Sequence, residues 1–236
     1  MILLRSFLFN IVLWVMTILF TIFLLPFTFL PHHIMFIPKV WSKTASWFLK
    51  VFIGIHYRID GLENLPKVPF IIASKHQSAW ETIAFNHIFP KPSFVLKKEL
   101  ASLFPISLHM KHAQMIPLDR KGGKDALRSM VEKAKVVMES GRPLVIFPEG
   151  TRTAIGEKIP YKRGIYTLYK YLNVPVVPVA LNSGLYWKRR GFVKYPGIIR
   201  VKILSPIPVG LAQDVFMKTL EQVIETESDK LIPEKS

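Results

Sequence analysis

Cysteine is absent from the 236 residues of this sequence. Its absence excludes disulfide bonds, thiolate metal sites and a cysteine nucleophile, because each of these needs a thiol. A chain of this kind suits a reducing compartment but does not require one. Any catalytic group must therefore come from another residue type.

Acidic residues are also few. The chain has 16 Asp and Glu against 32 Lys and Arg, a formal net charge of +16, and its first acidic residue is Asp60. The tail from Asp214 is richer in acids and is typical of a solvated amphipathic helix. A positive excess of this size predicts an anionic partner: nucleic acid, an anionic membrane surface or a phosphorylated substrate.

Charge is missing altogether between Ser6 and Leu30. The apolar stretch 7–30 exceeds the roughly 20 residues that cross the hydrocarbon core of a bilayer. A cleaved signal peptide is the alternative, but the stretch is long for one and no small-residue cleavage pattern follows. The sequence therefore predicts a retained membrane anchor, so that membrane lipids are the expected anionic partner and nucleic acid is not.

A second segment, 34–55, mixes aromatic residues with three lysines, as helices in the membrane interface do. Because Pro26, Pro31 and Pro38 interrupt a continuous helix, the N terminus forms either a spanning helix or a helical hairpin that dips into one leaflet. Basic residues are concentrated after the anchor. The positive-inside rule then places the bulk of the chain in the cytoplasm, at the cell (inner) membrane.

The remainder of the chain alternates between apolar runs and segments with helical periodicity, of which 123–140 and 163–172 are the clearest. This alternation predicts an α/β fold with a mostly parallel central sheet flanked by helices. The apolar runs that predict buried strands are 68–73, 93–96, 113–118, 143–147, 176–181 and 198–204.

Clusters of polar residues follow three of these predicted strands, at 74–82, 97–99 and 148–153. In open α/β sheets, active sites lie in the loops that follow the carboxyl ends of the strands. We therefore expect the functional residues in these three segments.

His76 and Glu81 stand out in the first cluster, SKHQSAWETIAF. Residues five apart lie about 140° apart on one helix, so these two can meet only if His76 lies in the loop and Glu81 in the first helical turn. In a catalytic interpretation, Glu81 orients His76, which acts as a general base toward a hydroxyl. In a structural interpretation, Ser78 and Glu81 form a capping box and Glu81 binds the Ser78 N–H. Ser78 is disfavoured as a nucleophile because no G-x-S-x-G elbow surrounds it.

The second distinctive motif is FPEGTR at 147–152, directly after a predicted strand. Gly150 permits a backbone that points N–H groups toward an anion, and Arg152 can bind a phosphate through two parallel hydrogen bonds. An ordinary turn would explain the Pro-Glu-Gly part alone. The basic residues around the motif favour a phosphomonoester site, and no metal is suggested.

Together these motifs resemble four blocks of the glycerolipid acyltransferase family, of the bacterial 1-acyl-sn-glycerol-3-phosphate acyltransferase type. Its H-x4-D block is similar to His76 through Glu81, with glutamate replacing aspartate and Lys75 standing where asparagine is common. F-P-E-G-T-R is present in full. The remaining blocks are similar to Lys97-Lys98-Glu99-Leu100 with Asp119-Arg120, and to VPVVPVALNSG at 174–184.

The resemblance implies an O-acyltransferase that moves a fatty acyl group from acyl-CoA or acyl carrier protein to the sn-2 hydroxyl of a lysophosphatidate. The product would be phosphatidic acid, for phospholipid biosynthesis, and no cofactor beyond the acyl donor is implied. His76 would deprotonate the hydroxyl and Glu81 would orient His76. The glycerol phosphate would be held by Lys97, Arg120, Glu149, Gly150, Thr151 and Arg152.

Two alternatives remain open at the level of sequence. The acceptor could instead be glycerol 3-phosphate, another lysophospholipid or a lyso-aminolipid, because the motifs specify the chemistry better than the acceptor. A more distant alternative is a basic protein that binds membranes or nucleic acid without catalysis. We expect a membrane-anchoring region at 1–57 and an acyltransferase catalytic domain at 58–236.

Overall fold

The computed structural model of the protein describes residues 1–24, 36–67, 69–102 and 113–233. Pro26, Pro31 and Val68, which entered the predictions above, lie outside these residues. The described part of the chain forms a central sheet with helices on both faces.

Seven strands form the sheet within the described residues, in the order β1-β7-β6-β2-β5-β3-β4. Neighbouring strands are parallel except for β6 and β7, so the predicted mostly parallel sheet is confirmed. The strands are β1 (Ile55–Asp60), β2 (Ile71–Ser74), β3 (Ser93–Lys97), β4 (Ile116–Leu118), β5 (Leu144–Ile146), β6 (Val176–Leu181) and β7 (Gly197–Ile203).

Six α-helices accompany the sheet in the same residues, and the two helices that the sequence outlined most clearly, at 123–140 and 163–172, are present. The helices are α1 (Ile2–Leu24), α2 (Ile37–Phe48), α3 (Trp80–Ile88), α4 (Gly123–Glu139), α5 (Gly164–Leu172) and α6 (Gln213–Asp229). A π-helical turn, Leu49–Ile53, continues α2. It ends at Gly54, whose φ of +83° lies in the left-handed region that favours glycine.

The core is divided by the sheet into two apolar layers. Alternate residues of β2 point to opposite faces, so that Ile72 packs with α1, α2 and α3 while Ile71 and Ala73 pack with α4, α5 and α6. Each large apolar side chain buried in this way stabilises the fold by about 1.5–3 kcal/mol. β2 is therefore held rigidly at the centre of the molecule.

β1 was not among the predicted strands. It lies at the edge of the sheet beside β7, and of its residues Ile55 is buried whereas His56 and Tyr57 are exposed. An edge strand with so few buried residues lacks the continuous apolar run that marked the other strands. The expected division of the chain at residue 57 falls within β1 and stays a prediction.

The N-terminal helix α1 packs against the rest of the protein along one face. Phe9 and Met16 are buried in the core, and the ring of Phe9 meets Trp187 edge-on at 5.9 Å. Apart from Arg5, the exposed side chains of α1 are apolar. By length and composition alone, Ile2–Phe23 could cross a membrane.

Candidate active site

The loops after β2, β5 and β6 meet at the end of the sheet where these strands have their carboxyl termini. β2 lies between β5 and β6 and runs parallel to both, so the carboxyl ends of all three strands point the same way. The loop after β2 carries His76, the loop after β5 carries FPEGTR, and the loop after β6 carries Ser183 and Gly184. The topology thus joins motifs that lie more than 100 residues apart, for instance through the hydrogen bond from Gly184 N–H to Gln77 Oε1 at 3.0 Å.

The backbone of His76 is held on both sides by the loop after β5. Its N–H donates to Glu149 Oε2 at 2.7 Å, and its carbonyl accepts from the Thr153 N–H at 2.8 Å. The imidazole stacks on Phe147 with ring centroids 3.9 Å apart. These contacts fix the position of the ring at the edge of the sheet.

The imidazole of His76 has an unusually low pKa. Burial lowers the pKa of its imidazole to about 3, and the nearby charges of Arg152 and Arg120 act in the same direction. Its Nδ1 atom is buried and has no hydrogen-bond partner among the described residues. The ring is therefore neutral near pH 7, with a ring nitrogen that can accept a proton.

Glu81 is fully buried. The sequence left open whether its carboxylate contacts His76 or the start of the following helix, and its hydrogen bonds decide between the two. Its carboxylate accepts hydrogen bonds from Gln77 N–H at 2.8 Å, Ser78 N–H at 3.1 Å and Ser78 Oγ at 2.9 Å. The Ser183 hydroxyl, from the loop after β6, donates to it at 2.7 Å. No hydrogen bond joins Glu81 to His76 in the described part of the chain.

The capping interaction of Glu81 is therefore the one that the structure contains. The helix begins at Trp80, one residue later than a strict capping box would place it, and the Trp80 N–H donates to Ser78 Oγ at 2.9 Å. Burial raises the pKa of Glu81, while the hydrogen bonds that it accepts oppose this rise. Glu81 shapes the turn that follows His76, and in this way it influences the histidine indirectly.

Within FPEGTR, Glu149 points inward. Its side chain is fully buried, with Oε1 at 2.7 Å from Lys75 Nζ and at 2.8 Å from the Thr153 hydroxyl. Burial raises the pKa of Glu149 to about 6, against the opposing effect of Lys75. Gly150 has a φ of +69°, as the motif led us to expect, but its N–H closes a turn onto Phe147 O at 2.9 Å. That N–H is therefore occupied in this structure.

The cations expected to hold a phosphate occupy different surroundings. Arg152 is partly buried, and burial lowers its pKa while the charge of Glu81 raises it. Arg120 follows β4, is exposed and contributes to the electrostatic field at His76. Lys97 ends β3 and pairs with Glu99 at 3.1 Å on the surface. Thr151 is exposed beside Arg152.

No individual role was predicted for Lys75, Thr153, Tyr161, Ser183 and Glu225. Lys75 and Thr153 nevertheless lie in the predicted polar clusters 74–82 and 148–153, and Ser183 lies in the block 174–184. Tyr161 and Glu225 contact the site from elsewhere in the chain, and no local spacing indicated them. Among the described residues, no group of three or more His, Asp or Glu could hold a metal ion.

The sheet order, the histidine loop and FPEGTR define the class of protein. A family model described as Acyltransferase matches residues 56–182, and the chain belongs to this acyltransferase family. The resemblance inferred from the motifs is thereby confirmed.

Individual relatives are similar over much of the chain. The 1-acyl-sn-glycerol-3-phosphate acyltransferase of Pseudomonas aeruginosa is 38% identical over 168 residues, 71% of this chain and 65% of the relative. The human 1-acyl-sn-glycerol-3-phosphate acyltransferase alpha is 31% identical over 70% of this chain and 60% of the relative. The match therefore spans less than two thirds of the length of these relatives.

A solved structure is similar over the whole fold. The crystal structure of PlsC, the 1-acyl-sn-glycerophosphate (LPA) acyltransferase of Thermotoga maritima, superposes with a TM-score of 0.81 and covers all of both chains at 23% identity. This likeness supports the α/β architecture, including the N-terminal helix.

Proposed function

We propose that the protein transfers a fatty acyl group from a thioester donor to the sn-2 hydroxyl of 1-acyl-glycerol 3-phosphate. The observation that carries this proposal is a neutral His76, fixed by FPEGTR and flanked by Arg152 and Arg120, whose buried Nδ1 has no hydrogen-bond partner in the described part of the chain. The names of the relatives point to the same acceptor. Acyl-CoA or acyl carrier protein would serve as the donor, and no further cofactor is invoked.

His76 is the general base in this reaction. It removes the proton from the acceptor hydroxyl while the hydroxyl oxygen attacks the thioester carbonyl. The carbon–sulfur bond then breaks, and the imidazolium returns its proton to the thiolate that leaves. A positioned base of this kind accelerates a reaction by roughly 10²–10⁴-fold.

The acceptor phosphate gives the neighbouring arginines a role. Bound near Arg152 and Arg120, it offsets the positive charges that lower the pKa of His76. The histidine would then become a stronger base only when the acceptor is present. Lys97 and the Glu149–Thr151 loop complete the proposed binding region. Glu149 contributes to it by holding the loop in place through its buried carboxylate.

The N-terminal region would attach the enzyme to the membrane that contains its lipid acceptor. One face of α1 packs on the domain from Ser6 to Thr21, a length of about 22 Å at 1.5 Å per residue. A helix with one face packed on protein over most of the ~30 Å apolar thickness fits insertion into one leaflet better than a free span. Exposed lysines on α2, Lys39 and Lys43, suit an anionic cytoplasmic surface.

Purified protein in detergent tests the reaction directly. The assay combines lysophosphatidate, glycerol 3-phosphate and a phosphate-free lysolipid with acyl-CoA and with acyl carrier protein as donors. We expect phosphatidic acid as the main product. Preferred acylation of the phosphate-free lysolipid would contradict the proposed acceptor.

A further inference from the structure

A buried charged cluster lies directly behind the histidine loop. Lys75 Nζ is 2.7 Å from Glu149 Oε1, and it is 2.8 and 2.9 Å from the two carboxylate oxygens of Glu225. The side chains of Lys75 and Glu149 are 3% and 0% exposed, and that of Glu225 is 10% exposed. The Tyr161 hydroxyl donates to Glu225 Oε1 at 2.8 Å.

The cluster connects helix α6 to the backbone of the histidine. Glu225 belongs to α6 and contacts Lys75, and Lys75 holds the same Glu149 carboxylate that accepts the His76 N–H at 2.7 Å. Lys75 also immediately precedes His76 in the chain. Two routes, one covalent and one through Glu149, thus lead from Glu225 to the histidine.

A buried ion pair is a poor source of net stability, because removing charges from water costs about as much as their attraction returns. It does, however, fix geometry, since each partner is held by several directional bonds. Here Lys75 is held by two carboxylates, and Glu149 accepts bonds from three different residues. The arrangement suits a positional role better than a stabilising one.

We propose that Glu225, acting through Lys75 and Glu149, is a positioning residue for His76, so that helix α6 forms part of the catalytic machinery. The inference deepens the proposed acyl transfer and rests on it. Glu225 lies beyond the segment 56–182 that the family model matches. Nothing in the motifs therefore assigns it a role.

The test compares Glu225→Gln with Glu227→Gln. Both changes remove one carboxylate from α6, but Glu227 pairs with Lys202 and Lys230, and no ion pair joins it to the cluster within the described residues. Glutamine keeps the size of the side chain and can still accept from Tyr161, so the variant should fold. The melting temperature of each variant is measured, and the kinetic assays are run below it, so that effects of unfolding are excluded.

We expect Glu225→Gln to lower kcat about tenfold, within the ~10²-fold that a displacement of ~1 Å can cost. The KM for the acceptor should stay within about twofold, because the phosphate-binding cations are untouched. Glu227→Gln should leave both constants near the wild-type values. An unchanged kcat in Glu225→Gln, or an equal loss in Glu227→Gln, would overturn the proposal.

A double-mutant cycle with Lys75→Asn tests whether Glu225 acts on His76 through Lys75. In that background the link from Glu225 to Glu149 is already broken, so adding Glu225→Gln should change kcat by less than about twofold. The same tenfold loss in both backgrounds would mean that Glu225 acts independently of Lys75, and the proposal would fail.

The NMR resonance of the His76 ring supplies a readout that needs no turnover. Because the ring stacks on Phe147 at 3.9 Å, a small displacement changes its ring-current shift. Glu225→Gln should move this resonance and Glu227→Gln should not. If the wild-type protein showed no acyl transfer, the proposed function would fail. The resonance would still test whether Glu225 positions His76, because an unmoved resonance in Glu225→Gln would overturn that proposal.

Discussion

The carboxylate of Glu149 accepts a hydrogen bond from the backbone N–H of His76 at 2.7 Å, and this contact joins the histidine loop to FPEGTR. Thr153 completes the junction by donating its backbone N–H to the His76 carbonyl. The two motifs therefore form one rigid unit at the carboxyl edge of the sheet.

Replacing His76 by alanine should abolish measurable acyl transfer. Loss of a general base lowers kcat by roughly 10²–10⁴-fold, whereas acceptor binding through the arginines should persist. His56→Gln is a suitable control, because His56 is exposed on β1. Steady-state kinetics with lysophosphatidate measure both variants, and near-normal turnover by His76→Ala would contradict the mechanism.

At Glu81, the conservative changes should differ in their effects. Glu81→Asp keeps the charge on a shorter side chain and should retain measurable activity. Glu81→Gln places an amide N–H₂ against the N–H donors of Gln77 and Ser78, and an unmatched buried donor costs about 1–3 kcal/mol. We expect a lower melting temperature for Glu81→Gln than for Glu81→Asp. The reverse order would show that the capping contacts do not dominate.

The titration of His76 should depend on Arg152. In the free protein the His76 resonance should not titrate between about pH 5 and 8, since its pKa lies near 3. Arg152→Gln should raise this pKa, because a positive neighbour is removed. His87 is an internal control: its pKa is lowered to about 4 mainly by burial, with Lys43 and Lys39 as its charged neighbours.

The same pKa has a consequence for stability. The unfolded histidine has a pKa near 6.5, so between pH 6.5 and 3 the unfolded chain binds a proton that folded His76 does not. The contribution of His76 to stability is present above pH 6.5 and is lost as the pH falls toward 3. Denaturant unfolding of wild type and His76→Gln at several pH values measures it, and a parallel pH dependence of the two proteins would contradict it.

Arg152 should distinguish phosphorylated from unphosphorylated acceptors. Hydrogen bonds to charged groups contribute about 1.5–3 kcal/mol, which corresponds to a loss of about 10–10²-fold in kcat/KM for Arg152→Ala with lysophosphatidate. A phosphate-free acceptor should be affected much less. Arg128→Ala, which removes an exposed arginine paired with Glu132 on α4, is the matched control. Equal losses for both acceptors would place the phosphate elsewhere.

Lys194 should secure α1 to the domain. Its ammonium is 2.8 Å from Asn10 Oδ1 and 4.6 Å from the centre of the Trp187 ring. Lys194→Ala removes both contacts and should speed hydrogen exchange of the α1 amides in detergent. Lys188→Ala, an exposed neighbour, should not. Unchanged exchange in Lys194→Ala would show that the Lys194 side chain does not secure the helix.

Local patterns predicted the parts of the fold that depend on nearby residues. Apolar runs placed β2 and β6, and helical periodicity placed α4, because burial of a face leaves a repeat in the sequence. β1 escaped prediction because an edge strand buries few side chains. The turn of Ser78 and Glu81 was recognisable as well, since capping depends on residues three apart.

The sequence by itself determined the chemical groups: a histidine after a buried strand, arginines near it, and an apolar N terminus. Only the tertiary structure decided which groups meet. It turned Glu81 toward its own helix start rather than toward His76, and it brought Glu225 to Lys75 across 150 positions of chain. The physical reason is that parallel strands gather distant loops at one edge of the sheet, where buried charges must find partners that no local spacing can specify.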